Sequence, residues 1–207
     1  EYFVSDNAKL LTTAQEVNNA ITAMHHVAKV KVIGLDAEWN VTLNRHGYPT
    51  NTGNVALIQI SYLDASDNIV TLLIRTHKMK KLPHALETLL TRDTFKIVGV
   101  NVSADLIKIG KDFEIDSILK VAQKDRPNVI NLGPFARARD VVSTGTVSLQ
   151  HLSERVLQKR LDKSKETRLS DWDQTELSEK QRKYAALDSI VSLKIFIEVD
   201  KMPDLTL

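Results

Sequence analysis

The sequence predicts a mixed α/β fold, in which helices cover a sheet with strands of both orientations. Three apolar segments in succession, at residues 29–39, 55–63 and 69–74, predict strands and an antiparallel meander. Beyond them, short apolar segments alternate with amphipathic ones, as strands alternate with helices in such folds. No internal repeat, low-complexity tract or shift in composition marks a boundary, so we expect residues 1–207 to form one domain.

The first elements can be assigned in order from the amino terminus. Residues 1–11 are expected to be an extended lead-in. Thr13 and Glu16 have the spacing of a capping box, which opens a helix to about Val27. Apolar residues recur at helical spacing along one face of that helix: Val17, Ile21 and Met24. The strand at residues 29–39 follows.

The middle of the chain contains two connections and three further elements. Asn, Gly, Pro and Thr predict a loop at residues 40–54, and a polar turn at 64–68 joins the second and third strands. A helix, a strand and a second helix are then predicted at residues 82–90, 96–100 and 102–113. Asn101 is placed to cap the second helix.

The last third of the chain predicts short elements and one long helix. In order, we expect a loop at 123–128, a strand at 129–132, helices at 134–140 and 148–158, and a charged connection at 161–173. Ser178 and Gln181 fit a second capping box, which opens the final helix to about Val199.

Composition limits the classes of protein to which the chain can belong. It is 43% hydrophobic and 26% charged, as globular proteins are, and its net charge of +2 is too small to argue for a nucleic-acid partner. The absence of cysteine rules out a disulfide framework and is compatible with an intracellular protein without establishing one. No apolar run reaches about 18 residues, so we expect no membrane span. Because the chain begins at Glu1, we expect it to be part of a longer protein, which leaves open whether additional domains accompany it.

Two carboxylates end the first strand. Asp36 and Glu38 follow the apolar run at residues 32–35, and residues two apart on a strand project to the same side. Carboxylates held this close repel each other unless a proton or a cation lies between them. Oxygen ligands suit a hard divalent cation, magnesium or manganese. On this stretch alone, a solvated loop with two acidic residues explains the pattern equally well.

The final helix and an earlier one carry further polar residues next to apolar segments. Tyr184 and Asp188 are four apart and share a helical face, which by itself indicates no more than an amphipathic helix with a buried tyrosine. Asp105 lies near the start of the helix at 102–113. Each carboxylate follows a strand or opens a helix beside an apolar core, where an unpaired charge is costly.

Together these motifs resemble the DEDD superfamily of 3′–5′ exonucleases, in the tyrosine-bearing subgroup that includes ribonuclease D and the Werner-type exonuclease domain. The three motifs are residues 35–39, 98–105 and 184–188, with supporting matches at 55–60, 148–149, 171–172, 177–178 and 181. The likeness covers about residues 12–198, and the one departure is the segment of residues 115–130, which is longer than in compact members. It implies a ribonuclease H-like mixed five-stranded sheet flanked by helices on both faces.

The resemblance also implies an activity and a cofactor. The activity is metal-dependent hydrolysis of phosphodiester bonds of DNA or RNA from a free 3′ end, with two divalent cations, Mg²⁺ or Mn²⁺. Asp36 would bridge both cations, Glu38 and Asp188 would complete the site on the nucleophile side, and Asp105 would hold the other. Tyr184, with an ordinary pKa near 10, is expected to orient the attacking water rather than to accept its proton.

Substrate-binding residues are less clearly marked. Six basic residues fall within a short stretch, where a salt-bridged surface explains them equally well: Arg155, Lys159, Arg160, Lys163, Lys165 and Arg168. Lys165 and Arg168 are the expected phosphate contacts because they precede the final helix. Trp39 can stack on a terminal base or belong to the core, whereas Trp172 is expected to pack.

Two other functions fit the same pattern of residues. One is a non-catalytic nucleic-acid-binding scaffold on the same fold. The four intact carboxylates argue against it, because a scaffold has no physical need for them. The other is the editing domain of a larger polymerase or helicase. The sequence leaves the choice between DNA and RNA open, because recognition of the 2′-hydroxyl depends on the geometry of the pocket.

Overall fold

A computed structural model describes residues 8–123, 126–161 and 164–206. The sheet has six strands: β1 Ala8–Leu11, β2 Val32–Leu43, β3 Pro49–Leu63, β4 Ile69–Arg75, β5 Lys96–Gly99 and β6 Val129–Asn131. Their order across the sheet is β1-β4-β3-β2-β5-β6. Strands β2, β3 and β4 are antiparallel neighbours, and the pairs β1/β4, β2/β5 and β5/β6 are parallel. The predicted meander and the mixed sheet are therefore confirmed.

The predicted count of five strands is wrong, because β1 adds a sixth at the edge of the sheet. Strand β1 pairs with β4 from Ala8 to Leu11. Only Leu11 of this strand is buried, so the segment has no alternating apolar pattern that would mark it. Its pairing partner lies some 60 residues further along the chain, where only the tertiary structure shows it. Residues 1–7 of the predicted lead-in lie outside the described residues.

The predicted loop at residues 40–54 is also wrong, because most of it forms a hairpin. Strand β2 continues to Leu43 and β3 begins at Pro49, which leaves a turn of residues 44–48. The Asn44 side chain closes this turn by accepting the backbone N–H groups of His46 and Tyr48 at 2.9 and 3.0 Å. Gly47 adopts a φ of +80° there, which glycine tolerates best. Because the hairpin extends into solvent, its residues resemble a loop in composition.

Eight α-helices are assigned in the described part of the chain. They are α1 Ala14–Val27, α2 His84–Thr91, α3 Val102–Asp112, α4 Asp116–Gln123, α5 Leu132–Arg137, α6 Leu149–Leu152, α7 Lys165–Arg168 and α8 Glu179–Val199. Helices α1 to α3 pack on one face of the sheet around a core that includes Ile33, Leu35 and Ile58. Helix α8 packs on the other face against β2, β3 and β4. The prediction of helices on both faces is confirmed.

Both predicted capping boxes are present, at Thr13 and at Ser178. The predicted cap of α3 is wrong, because Asn101 has a φ of 58° and its side chain makes no capping bond. Instead, Asn131 at the end of β6 accepts the N–H of Ser103 at 3.1 Å and donates to its hydroxyl at 2.9 Å. A residue 28 positions away therefore stabilises the first turn of α3.

The remaining differences are local. Helix α4 is absent from the predicted elements, and it lies in the segment of residues 115–130 that departs from the family pattern. The predicted helix at 148–158 is α6 followed by a π-helical turn, Ser153–Leu157. Helix α7 interrupts the predicted connection at 161–173. Residues 124–125 and 162–163 of the two predicted connections lie outside the described residues. Every helix among the described residues is too short or too polar to cross a lipid bilayer.

Candidate active site

A close contact between α8 and β2 sets the geometry of the site. A Cβ atom on Gly34 would lie 2.0 Å from the carbonyl oxygen of Ser189, so only glycine lets the helix approach the strand this closely. The hydroxyls of Ser61 on β3 and Ser189 on α8 are 2.7 Å apart, which fixes where the helix crosses the sheet. Asp188 precedes Ser189 and is thereby held over the middle of β2, near Asp36 and Glu38.

Three carboxylates converge at this crossing. Oxygen atoms of Asp36, Glu38 and Asp188 all lie within 4.8 Å of one another. Glu38 is 8% exposed and Asp188 is 6% exposed, while Asp36 is half-buried. Carboxylates this close and this poorly hydrated need a proton or a cation between them. An all-oxygen set of this kind fits a hard divalent cation such as Mg²⁺ or Mn²⁺.

Asp105 lies in the same cleft but outside that group of three. It is in the first turn of α3, and the contact between Asn131 and Ser103 holds this turn in place. Burial, and then the charge of Asp188, raise the pKa of Asp105 to about 8. The carboxyl group is therefore largely protonated at neutral pH unless a cation compensates its charge.

Tyr184 lies one helical turn before Asp188 and is 7% exposed. Its ring packs against that of Trp172, with the centroids 6.2 Å apart. Burial raises the pKa of the Tyr184 hydroxyl above its ordinary value, and the charges of Asp188, Glu38 and Asp36 raise it further. The phenol is therefore neutral over the physiological range and can orient a water molecule by hydrogen bonding.

One cleft of about 700 Å³ brings the predicted site residues together. All eight of them line it: Asp36, Glu38, Trp39, Asp105, Lys165, Arg168, Tyr184 and Asp188. The hairpin between β2 and β3 also contributes to the lining, with residues that sequence reasoning had assigned to a loop: Val41, Leu43, Gly47, Pro49 and Thr52. The carboxylates therefore share the cleft with apolar side chains of the hairpin and with the positively charged side chains of Lys165 and Arg168 on α7.

The basic residues predicted between positions 155 and 168 do not all reach the cleft. Lys165 and Arg168 are exposed and line the cleft. Arg155 instead donates to the carbonyl oxygen of Val141 at 3.2 Å, and Arg160 pairs with a glutamate at 3.6 Å, both away from the cleft. Lys163 lies outside the described residues. Only part of the predicted patch therefore lines this cleft.

Trp39 is half-buried at the edge of the cleft. Beside its ring lies an ion pair between Lys108 and Asp112 that the sequence did not reveal. The Lys108 ammonium lies 5.6 Å from the centre of the Trp39 ring and donates to the carbonyl oxygen of Gly53 at 2.7 Å. Lys108 also pairs with Asp112, which accepts the backbone N–H of Val55 at 2.7 Å. In the sequence these two residues are only a lysine and an aspartate four apart on a helix, a spacing that is usually exposed.

A second network connects α7 to β2. The Asn40 amide donates to Asp171 at 2.8 Å and accepts the backbone N–H of Trp172 at 2.6 Å. The Trp172 indole donates to the carbonyl oxygen of Arg168 at 3.2 Å. Trp172 is 0% exposed, so its predicted packing role is confirmed. Sequence reasoning missed Asn40, which lies two residues past Glu38 and had been assigned to the loop.

Sequence comparison relates almost the whole chain to proteins of known class. The family described as 3′–5′ exonuclease matches residues 9–203. A protein named 3′–5′ exonuclease from Drosophila mojavensis is 27% identical over 202 residues, which are 97% of this chain and 56% of that protein. Its namesake from Drosophila grimshawi is 30% identical over 200 residues, with 93% of this chain and 56% of that protein covered. The chain thus spans about half the length of these curated relatives.

Solved structures share the fold at low sequence identity. Ribonuclease D of Trypanosoma brucei in complex with RNA U12 has a TM-score of 0.72 at 15% identity and covers 96% of this chain and 64% of that one. Escherichia coli RNase D has a TM-score of 0.67 at 22% identity, with coverages of 94% and 45%. Brucella melitensis NrnC with bound Mg²⁺ has a TM-score of 0.63 at 17% identity, with coverages of 95% and 80%. These similarities confirm the predicted fold class.

Proposed function

This chain belongs to the family of 3′–5′ exonuclease domains, as its motifs predicted, and on that premise we propose that it removes nucleotides from the free 3′ end of DNA or RNA with two divalent cations, Mg²⁺ or Mn²⁺. The observation that carries the proposal is the convergence of Asp36, Glu38 and Asp188 within 4.8 Å in a cleft that Asp105 also lines. Because the chain spans about half of its curated relatives, its substrates and the activity of a whole protein are part of the proposal.

The carboxylates would hold the cations in the arrangement that the family resemblance implies. Asp36, Glu38 and Asp188 would ligate the first cation, and Asp36 and Asp105 the second. Two such cations supply an acidified water and compensate the charge that develops on the leaving 3′-oxygen. The high pKa of Asp105 in the free protein agrees with this assignment, because its buried carboxylate needs a compensating positive charge.

The remaining residues would bind and orient the substrate. Tyr184, kept neutral by its surroundings, would position the attacking water through its hydroxyl. Lys165 and Arg168 would contact phosphates, which carry most of the binding energy of nucleic acids. Trp39 would stack on the terminal base, a contact that tolerates any base because each has a π-face. The apolar hairpin residues Val41 and Leu43 would extend this surface for the bases of a single strand.

A digestion experiment tests the activity and its polarity. Oligonucleotides of DNA and of RNA, labelled at the 5′ end, are incubated with the protein and Mg²⁺, Mn²⁺ or EDTA. We expect products that shorten by one nucleotide at a time in the presence of either cation and none in EDTA. The Asp36→Ala variant serves as the matched inactive control.

A circular single strand without a 3′ end distinguishes the alternatives. It should resist digestion, because an exonuclease needs a terminus, and its cleavage would contradict exonuclease action. Binding of linear strands by the wild-type protein without any cleavage in Mg²⁺ or Mn²⁺ would instead favour the non-catalytic scaffold.

A further inference from the structure

Gln59 on β3 is a buried amide with an unusual environment. Its side chain is 0% exposed, and within residues 8–123, 126–161 and 164–206 neither its Nε2 nor its Oε1 atom has a hydrogen-bond partner. The other buried side chains with an unpartnered atom each make at least one hydrogen bond through another atom: Arg75, His77, Asn128 and Arg139. Burial of a polar group without partners costs stability, so this amide does not stabilise the fold of the free protein.

Gln59 lies directly beside the candidate cation site. In the antiparallel pairing of β2 and β3, Gln59 is opposite Asp36, and the next pair on the same face of the sheet is Leu57 with Glu38. Opposed residues of an antiparallel pair point to the same face with their Cβ atoms about 5 Å apart. That face is the one covered by α8, because Ser61, two residues further along β3, bonds to Ser189. An amide of this length can therefore reach the Asp36 carboxylate from the buried side.

We propose that Gln59 is a positioning residue for Asp36. Its Nε2–H group donates to the Asp36 carboxylate in the cation-loaded protein and holds that carboxylate in the orientation the cation requires. Hydrogen bonds to a charged carboxylate are about twice as strong as those between neutral groups, which offsets the cost of the buried amide in the loaded state. The inference rests on the proposed cation site, and it adds a residue that does not itself ligate the cation.

The test replaces Gln59 with methionine, which has nearly the same shape and no amide. Mn²⁺ affinity is measured by titration calorimetry, and the melting temperature is measured in EDTA. We expect the Gln59→Met variant to melt in EDTA at or above the wild-type temperature, because two unpartnered polar atoms are removed. We expect its dissociation constant for Mn²⁺ to rise by roughly ten- to hundredfold, as for the loss of other groups that orient metal ligands.

Ser153→Ala is the matched control, because Ser153 is a buried polar residue that does not line the cleft. Its hydroxyl donates to the carbonyl oxygen of Lys159 at 2.8 Å, so its loss should lower the melting temperature in EDTA. It should leave Mn²⁺ affinity unchanged, because it lies outside the cleft that contains the carboxylates. Gln59→Met is therefore expected to weaken Mn²⁺ binding without loss of stability, and Ser153→Ala to lose stability without weaker Mn²⁺ binding.

Two results would overturn the inference. If Gln59→Met binds Mn²⁺ as tightly as the wild type, the amide does not position Asp36, although the cation site itself stands. If Gln59→Met and Gln59→Leu both melt well below the wild type or fail to fold, the amide serves the fold instead. Failure of the wild type to bind Mn²⁺ would contradict the proposed function itself, which is a separate and distinguishable result.

Discussion

Replacing Tyr184 with phenylalanine removes one hydroxyl from the cleft and keeps the ring that packs on Trp172. If the hydroxyl orients the attacking water, we expect a loss of roughly 10- to 100-fold in rate, or about 1.4–2.7 kcal/mol of transition-state stabilisation. A general base would contribute about 10²–10⁴-fold. At the ordinary tyrosine pKa only about 0.1% of the phenol is ionised at pH 7. The buried, acidic surroundings of Tyr184 raise its pKa further, so we favour the smaller loss.

Single-turnover rates between pH 6 and 9, at saturating Mn²⁺, distinguish the two roles of Tyr184. If it orients water, the rates of wild type and Tyr184→Phe should keep a constant ratio across this range, since no proton leaves the phenol. A loss of more than a thousandfold, together with disappearance of the acidic limb in the variant, would refute the reasoning. Tyr62→Phe is the control, because Tyr62 is 5% exposed in the core on the opposite face of the sheet and should keep wild-type activity.

Four further predictions follow from the site. Asp188→Ala should melt in EDTA no lower than the wild type, because it relieves repulsion among carboxylates, and calorimetry should show that Mn²⁺ no longer stabilises it. The raised pKa of Asp105 means that folding takes up a proton between about pH 4 and 8, so the melting temperature in EDTA should fall as pH rises through this window. Asp105→Asn should flatten that fall, and an unchanged slope would contradict the assignment. Gly34→Ala should destabilise the protein by about 1–3 kcal/mol or more in urea unfolding, because its Cβ meets the backbone of α8 at 2.0 Å. Arg168→Ala should raise the KM for an oligonucleotide, whereas Arg160→Ala, whose side chain lies outside the cleft, should not.

Much of the candidate site could be predicted because its residues lie on elements with strong local signals. Strand β2 is marked by a continuous apolar run, and Asp36 and Glu38 end that run. Helix α8 is marked by its capping box, so the shared face of Tyr184 and Asp188 followed from helical spacing. These signals depend on residues a few positions apart, and local backbone geometry is enough to interpret them.

The elements that sequence reasoning missed depend on partners far away in the chain. Strand β1 becomes a strand only by pairing with β4, and the hairpin beyond Trp39 forms because β2 pairs with residues 49–54, which have no alternating apolar pattern of their own. Asn101 has the right residue type for a cap, but the Asn131 side chain performs that role. At such positions the helix and strand propensities of the residues allow several backbone conformations, and tertiary contacts decide which one forms.

The sequence by itself determined the fold class and the family, and it supplied the candidate carboxylates for a cation site, because these follow from patterns and motifs along the chain. Only the tertiary structure decided that the carboxylates of Asp36, Glu38 and Asp188 meet within 4.8 Å, since Gly34 lets α8 approach β2 closely enough for them to do so. The burial that shifts the pKa values of Asp105 and Tyr184 likewise arises only when distant segments pack together and exclude water.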